Sequence, residues 1–270
     1  MTDSPDHSSP RRAPKRSLGQ NFLVDANVST KIAAALQAAE GETVLEIGPG
    51  RGALTKQLLL RGIVPVVLEL DRSLAVELKT ATPSLNVVVG NGVDFPYAVL
   101  PRSGVTRVIG NLPYNVGSVI IWEFVRQTRD FSRAVFMVQR EVAERIVAKP
   151  GSRTYGMLSA WVQSFVQPEI LFHVSPNVFR PRPRVWSCVL AFTPRLEGLQ
   201  HGCTPAELSA LLKILFQKRR KQLGTILKDQ VQTHGKDLLE DLNLERTLRP
   251  EDLTPESLQK LAKKLGSTRL

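Results

Sequence analysis

The sequence predicts an α/β fold with a seven-stranded, mostly parallel sheet, followed by a small all-helical C-terminal domain. Short apolar runs alternate with amphipathic helical segments as far as about residue 195, the pattern of strands covered by helices. From residue 196 onward helix-forming residues dominate without a strand pattern. With 270 residues the chain is long enough for one large core and a second, smaller domain. We therefore predict domains at 17–195 and 196–270.

Seven apolar runs have the length and side-chain types of buried strands. They cover residues 43–47, 64–68, 85–89, 106–110, 134–138, 169–174 and 186–192, the last as a hairpin partner. In the first domain, helices are predicted at about 25–39, from the glycine turn to about 61, and at 73–80, 118–127 and 141–149. In the second, a helix is predicted from 205 through the basic run at 218–221 and on to 223–227, with shorter helices at 236–242 and 255–265. Residues 1–16 are rich in Pro, Ser and Arg and predict a disordered basic tail.

The charge balance indicates a polyanionic partner. The 36 Lys and Arg residues exceed the 25 Asp and Glu residues, a formal net charge of +11, and nucleic acid is the simplest such partner. No apolar run is long enough to span a bilayer, so we expect no membrane segment. Two cysteines without ligand spacing and four scattered histidines predict a cytoplasmic protein without a metal site.

The residues after the fourth strand carry the main functional prediction. Asn111-Leu112-Pro113-Tyr114 begins where that strand ends, and this edge of an α/β sheet is where ligands bind. The cluster offers an amide oxygen, a main-chain carbonyl held outward by proline, and a flat ring. Two acceptors and a stacking face suit a planar group with an exocyclic amine, such as adenine. Taken alone, the tetrapeptide also fits an Asx turn after a strand.

A glycine-rich turn after the first strand predicts a nucleoside site. Gly48-Pro49-Gly50-Arg51-Gly52 leads into a helix, and Glu69 ends the next strand, twenty-one positions after Gly48. The glycines let a ligand approach the backbone, and an acid at this distance is placed to bind ribose hydroxyls. The turn departs from both the dinucleotide fingerprint and the phosphate loop, so a nucleoside without pyrophosphate is favoured. Asn91, at the third strand end, is placed to read an adenine edge, although a polar turn explains it almost as well.

Two basic segments and one loop are candidates for contact with a nucleic acid backbone. In the first, Arg180, Arg182 and Arg184 alternate with prolines, which predicts an exposed, stiff loop with arginines spaced for phosphates. Phe179 begins this segment and is placed to close on a flipped base, or equally to lie in the core. Arg153 lies in a polar loop at 149–155. The second segment is the run Lys218, Arg219, Arg220 and Lys221.

Five motifs resemble, in order and spacing, those of the ribosomal RNA adenine dimethyltransferases, most closely the bacterial small-subunit type. They are Leu18-Gly19-Gln20-Asn21-Phe22-Leu23, Glu46-Ile47-Gly48-Pro49-Gly50, Glu69-Leu70-Asp71, Asn111-Leu112-Pro113-Tyr114 and Phe179-Arg180-Pro181-Arg182-Pro183. The resemblance runs from about residue 17 to the end. It implies a Rossmann-like class I methyltransferase fold with S-adenosylmethionine as methyl donor and a helical RNA-binding C-terminal domain.

The resemblance also implies a substrate and the roles of individual residues. Two adjacent adenosines in the hairpin loop near the 3′ end of small-subunit RNA would each receive two methyl groups on N6, in an assembling subunit. By position, the resemblance implies that Asn21 and Leu23 cover the methyl donor, that Gly48 and Gly50 lie under it, and that Glu69 holds its ribose. Asn111 would bridge the donor and the target, and the rings of Tyr114 and Phe179 would sandwich the target base.

One position departs from the family pattern. Asn91 stands where the family usually has an aspartate that accepts a hydrogen bond from the adenine amine of the methyl donor. Because an amide oxygen still accepts this bond but lacks charge, we expect modestly weaker donor binding and retained activity.

Two alternatives remain open at this stage. The related large-subunit (23S) dimethyltransferase of the antibiotic-resistance type shares the Asn111 tetrapeptide, and a non-catalytic RNA-binding assembly factor would keep the fold. The motif at residues 20–23 and the basic C-terminal segment favour the small-subunit enzyme, which we expect to be a monomer.

Overall fold

The computed structural model describes residues 20–128, 130–195, 202–228 and 238–266. The predicted basic tail at 1–16 lies outside these ranges, and so does the segment just after the predicted domain boundary. In the described part, no helix combines the length and apolarity that a bilayer crossing requires.

In the residues that the structure describes, nine strands form one large sheet and one small ribbon. They are β1 (Phe22–Leu23), β2 (Thr43–Ile47), β3 (Val66–Glu69), β4 (Asn86–Val89), β5 (Val105–Asn111), β6 (Arg133–Gln139), β7 (Val166–Val174), β8 (Phe179–Arg180) and β9 (Ser187–Pro194). The large sheet has seven strands in the order β4-β3-β2-β5-β6-β9-β7. Strands β2 to β6 pair in parallel, and β9 is antiparallel to both of its neighbours. The predicted seven-stranded, mostly parallel sheet is confirmed.

The small ribbon was not predicted. Strands β1 and β8 pair antiparallel, with Phe22 opposite Arg180 and Leu23 opposite Phe179. The predicted exposed loop at 178–184 is wrong for Phe179 and Arg180, which form a strand. A two-residue strand has no recognisable period, and its partner lies more than 150 positions away, so only tertiary contact reveals it.

The helices cover both faces of the sheet and build the C-terminal region. They are α1 (Ala26–Ala35), α2 (Ala53–Leu59), α3 (Arg72–Ala81), α4 (Gly117–Gln127), α5 (Arg140–Ile146), α6 (Met157–Phe165), α7 (Pro205–Gln217), α8 (Leu223–Ile226) and α9 (Pro255–Gly266). The predicted N-cap of the first helix is confirmed, because the Asp25 carboxylate accepts from the Val28 N–H at 2.9 Å.

Helix α6 is absent from the sequence prediction, and burial explains why. Trp161, Val162 and Phe165 are all buried, and so are Ser159 and Ser164. A helix that is buried on most sides lacks the polar face that makes helical periodicity visible. Trp161 stacks on Trp122 of α4, with ring centroids 4.1 Å apart.

The C-terminal region differs from its prediction at two places. Helix α7 is capped by Thr204 and ends at Gln217, so the predicted continuation of the helix through the basic run is wrong. Lys218 to Lys221 instead form a turn closed by the Lys221 N–H and the Lys218 carbonyl at 2.8 Å. The described part of the predicted helix at 236–242 is a single 3-10 turn, Glu240–Leu242, ended by Asn243 in the left-handed conformation.

One hydrophobic cluster extends from the sheet through α6 into the C-terminal helices. It contains Phe136 of β6, Trp161 of α6, Leu212 of α7 and Leu261 of α9. Because α6 packs against α7 and α9, the two regions share buried surface. Independent folding of residues 196–270 stays a prediction.

Candidate active site

A cleft opens at the carboxyl ends of the adjacent strands β3, β2 and β5. Its space, including the open mouth, is about 750 Å³. Nine residues that the sequence analysis singled out line this cleft: Asn21, Leu23, Gly48, Gly50, Glu69, Asn111, Leu112, Pro113 and Tyr114. The fold therefore brings the glycine turn, the acid and the Asn111 tetrapeptide to one place.

The glycine turn adopts a conformation that side chains resist. Gly48 and Gly50 have φ angles of +67° and +56°, in the left-handed region that favours glycine. A Cβ atom on Gly50 would lie 3.1 Å from the ring of Phe22 in β1. The Arg51 guanidinium lies over the same ring, 4.6 Å from its centroid. The turn and β1 thus enclose one side of the cleft.

Glu69 is held at the end of β3 by two main-chain N–H groups. Gly50 donates to Oε2 at 3.0 Å and Asp71 donates to Oε1 at 2.8 Å. Its side chain is 6% exposed. Burial raises the pKa of Glu69 and the charge of Asp71 adds to the rise, while these two hydrogen bonds and the Leu70 N–H oppose it. A carboxylate has about four lone-pair sites, so Glu69 can still accept from a ligand hydroxyl.

Glu46 is a cleft residue that the sequence reasoning did not single out. It lies in β2, is 1% exposed and accepts from the Thr55 hydroxyl at 2.7 Å. Burial raises the pKa of Glu46 to about 7, and the charge of Glu69 adds to the rise, while Thr55 opposes it. The sequence contains a signal for this residue: a carboxyl group inside an otherwise apolar strand, Val-Leu-Glu-Ile, is costly to bury and therefore indicates a specific role.

Asn111 and Leu112 present two acceptor oxygens. The Asn111 side-chain Nδ2 donates to the Asn21 carbonyl at 3.3 Å, which directs Oδ1 away from that contact. The Leu112 N–H donates to the Met137 carbonyl at 3.1 Å and anchors the main chain. Within the described residues, neither Asn111 Oδ1 nor the Leu112 carbonyl receives a hydrogen bond. Both oxygens can therefore accept from one exocyclic amine in the cleft.

Tyr114 forms the wall of the cleft next to these acceptors. Its hydroxyl lies 2.6 Å from the hydroxyl of Ser187, which is buried at the start of β9. Burial raises the pKa of Tyr114, and the Ser187 hydrogen bond opposes this. The ring is therefore neutral at physiological pH and held at its far end, as a stacking surface requires.

Asn91 and Phe179 lie outside the cleft lining. Asn91 is exposed, donates to the Asp94 carboxylate at 2.7 Å and accepts from the Val93 N–H at 3.0 Å. Phe179 is fully buried in the hydrophobic cluster that contains Leu23. Contact with a target base would require its ring to leave that cluster, so the base-facing role stays a prediction.

Comparison with known proteins decides the family. Residues 12–265 match the family described as ribosomal RNA adenine dimethylase. The chain belongs to the ribosomal RNA adenine dimethylase family. It is 45% identical over 252 residues to the ribosomal RNA small subunit methyltransferase A of Nitratidesulfovibrio vulgaris, covering 92% of this chain and 94% of the relative. The protein of the same name from Pseudomonas aeruginosa is 39% identical over 259 residues, covering 94% and 95%.

Two solved structures show the same fold as this dimethylase-family chain. A dimethyladenosine transferase from Plasmodium falciparum has a TM-score of 0.77 at 24% identity, covering 91% of this chain and 98% of its own. The 23S rRNA methyltransferase ErmE has a TM-score of 0.67 at 22% identity, covering 91% and 100%. The Rossmann-like class I methyltransferase fold with a helical C-terminal region is thereby confirmed.

The four arginines at 153, 180, 182 and 184, which the sequence predicts as phosphate contacts, lie outside the cleft lining. Arg153, Arg180, Arg182 and Arg184 are exposed. Arg180 donates to the carbonyls of Asn177 and Phe179 at 3.0 and 2.8 Å, so part of its guanidinium stabilises the chain locally. No carboxylate of the described residues forms an ion pair with Arg182 or Arg184.

The basic turn divides into one structural and three exposed cations. Arg219 pairs with Glu251 and donates to the Arg153 carbonyl at 2.7 Å. The Arg219 side chain therefore joins the 149–155 loop to the C-terminal region. A contact of this guanidinium with RNA would have to replace its contacts with Glu251 and Arg153. Lys218, Arg220 and Lys221 are exposed and stay candidates for phosphate binding. The described residues contain no His, Cys, Asp and Glu group arranged for a metal ion.

Proposed function

We propose that this chain transfers methyl groups from S-adenosylmethionine to the N6 amines of two adjacent adenosines in the 3′-terminal hairpin loop of small-subunit (16S) rRNA. The observation that carries the proposal is the pair of acceptor oxygens, Asn111 Oδ1 and the Leu112 carbonyl, beside the ring of Tyr114. The small-subunit relatives at 39–45% identity support this choice of RNA. The proposal includes a cytoplasmic, monomeric enzyme that acts on assembling subunits.

The cleft fits the methyl donor in its residue types. The buried carboxylate of Glu69 suits ribose hydroxyls, and the left-handed Gly48 and Gly50 leave the space that side chains would take. Asn21 and Leu23 lie over this space from β1 and its lead-in. When bound, S-adenosylmethionine supplies a methyl group activated by its sulfonium.

The protein acts on the target amine mainly by positioning. The N6 lone pair of adenine is delocalised into the ring, so the amine is a weak nucleophile. Asn111 Oδ1 and the Leu112 carbonyl accept one hydrogen each, which fixes the amine and favours a localised lone pair. Tyr114 stacks on the base and excludes water. Since the leaving group is activated beforehand, a strong general base is unnecessary.

The decisive test supplies labelled methyl donor to purified small and large subunits that lack these modifications. We expect label in small-subunit RNA, recovered as N6,N6-dimethyladenosine at two adjacent positions of the 3′ hairpin. Label confined to large-subunit RNA would instead establish the 23S alternative.

The Asn111→Ala variant separates the enzyme from a non-catalytic assembly factor. The proposal requires that this variant loses methyl transfer and still binds small subunits. A pure binding protein would transfer no label even as the wild type.

A further inference from the structure

Trp186 is the one exposed tryptophan of the three. It is 46% exposed, and its neighbour Val185 is 43% exposed. Trp122 and Trp161, by contrast, stack on each other inside the fold with an interplanar angle of 5°. Packing therefore explains the other two indoles, whereas nearly half of the Trp186 surface is open to a partner.

The main chain holds Trp186 beside the target end of the cleft. The Arg140 N–H donates to the Trp186 carbonyl at 2.9 Å and extends the pairing of β6 with β9. The next residue is Ser187, whose hydroxyl contacts the Tyr114 hydroxyl. Trp186 immediately precedes β9, so its main chain lies one residue from the side chain that holds Tyr114.

The surrounding charge is complementary to a nucleic acid strand. Arg182 and Arg184 precede Trp186 by four and two positions and are exposed without a carboxylate partner in the described chain. The prolines at 181 and 183 stiffen this segment. The neighbouring acid Glu144 is paired with Arg140 at 3.4 Å. An aromatic face among free cations is the usual arrangement for a single-stranded RNA contact.

We propose that Trp186 stacks on the unpaired nucleotide next to the target adenosine and, with Arg182 and Arg184 on the phosphates, fixes which adenosine enters the cleft. This inference rests on the proposed function, because it takes RNA as the substrate. Trp186 is a positioning residue: it touches the flanking base and leaves the reacting amine to Asn111 and Leu112.

The kinetic test compares Trp186→Ala, Trp186→Leu and Trp186→Phe on unmethylated small subunits. Loss of one stacked base predicts that the Ala and Leu variants raise KM for subunits roughly 5- to 150-fold, with kcat nearly unchanged. Trp186→Phe keeps a flat ring and should stay close to wild type. Val185→Ala, which removes a neighbouring exposed apolar group, is the matched control and should change nothing. Equal KM values for Trp186→Leu and Trp186→Phe would overturn the proposal.

A binding measurement tests the stacking without methyl transfer. A short single-stranded RNA, titrated at low salt, should quench the indole emission of the wild type, whereas the residual emission of Trp186→Phe should stay unquenched. Unquenched wild-type emission would overturn the inference. The two proposals can fail independently of each other. Small subunits that receive no label from the wild type would disprove the proposed function, whereas the quenching of the indole emission by RNA tests the role of Trp186.

Discussion

The side-chain amide of Asn111 donates to the main-chain carbonyl of Asn21 at 3.3 Å. This bond joins the end of β5 to the segment that enters β1, two parts of the chain 90 positions apart. It also orients the amide so that its oxygen, rather than its nitrogen, remains for a substrate amine. The orientation of one acceptor is thus set by a loop that belongs to the other side of the cleft.

Asn111→Asp should therefore abolish most activity although the change is nearly isosteric. A carboxylate cannot donate to the Asn21 carbonyl and is repelled by it, so the acceptor leaves its position. We expect kcat for methyl transfer to fall on the order of 10²-fold, as a misplacement of about 1 Å does. Asn115→Asp, at an exposed position four residues on, is the control that introduces the same charge. Equal activity of both variants would contradict the role of Asn111.

Gly50→Ala should weaken binding of the methyl donor. The substitution places a side chain at φ +56° and brings its Cβ to 3.1 Å from the Phe22 ring. Gly104→Ala is the control, because Gly104 has φ +74° with nothing within 4 Å of its Cβ. Both variants should lose roughly 1–2 kcal/mol of stability to the left-handed conformation. Calorimetry with S-adenosylmethionine should show weaker binding for Gly50→Ala alone.

Glu46 should make the free energy of unfolding depend on pH. Its pKa is raised from 4.5 to about 7 in the folded state, so between these values the folded protein binds more protons than the unfolded chain. The stabilisation is complete below pH 4.5 and is lost as pH rises through about 7. In Glu46→Gln this loss, about 3 kcal/mol, should disappear.

Denaturant titrations at about pH 4.5 and pH 8 measure the effect. Glu69 contributes in the same direction in both proteins, so the difference between them reports Glu46 together with its interaction with Glu69. The control is Glu169→Gln, an exposed carboxyl on β7, which should leave the pH dependence of the wild type intact. A wild-type pH dependence in Glu46→Gln would show that the buried carboxyl is not its source.

Tyr114 should act through its ring, and its hydroxyl should matter mainly for stability. Tyr114→Phe removes the 2.6 Å contact with Ser187 and leaves a buried hydroxyl without this partner, which costs about 1–3 kcal/mol. Its kcat should change little, whereas Tyr114→Ala should lose transfer because the stacking face is gone. Single-turnover methylation and thermal melts separate the two effects. A Phe variant as inactive as the Ala variant would assign the activity to the hydroxyl.

The basic turn should show two kinds of behaviour. Lys221→Ala removes an exposed cation, so RNA affinity should fall and the slope of log K against log salt should decrease by about 0.7–0.9, without loss of stability. Arg219→Ala removes the contacts with Glu251 and the Arg153 carbonyl, so its melting temperature should fall. Filter binding across a salt series and thermal melts give both values. A reduced salt slope with unchanged melting in Arg219→Ala would show that Arg219 serves RNA instead.

The sequence by itself determined the parts of this protein that depend on local pattern. The strands leading to Gly48, Glu69 and Asn111 are apolar runs that end in polar or glycine residues, and parallel strands bring such ends to one edge. For that reason the convergence of Gly48, Glu69 and Asn111 was predictable from pattern, whereas Asn21 and Leu23 entered only through the family resemblance. The motif spacing was enough to indicate the family.

Burial, pKa shifts and ion pairs that depend on contact between distant segments became known only from the tertiary structure. The ribbon of β1 and β8 buries Phe179, burial raises the pKa of Glu46, and the pairing with Glu251 occupies Arg219. Helix α6 became recognisable only once its partners on several sides were known. Each of these outcomes depends on which remote atoms surround a side chain, and a local window of sequence does not contain those atoms.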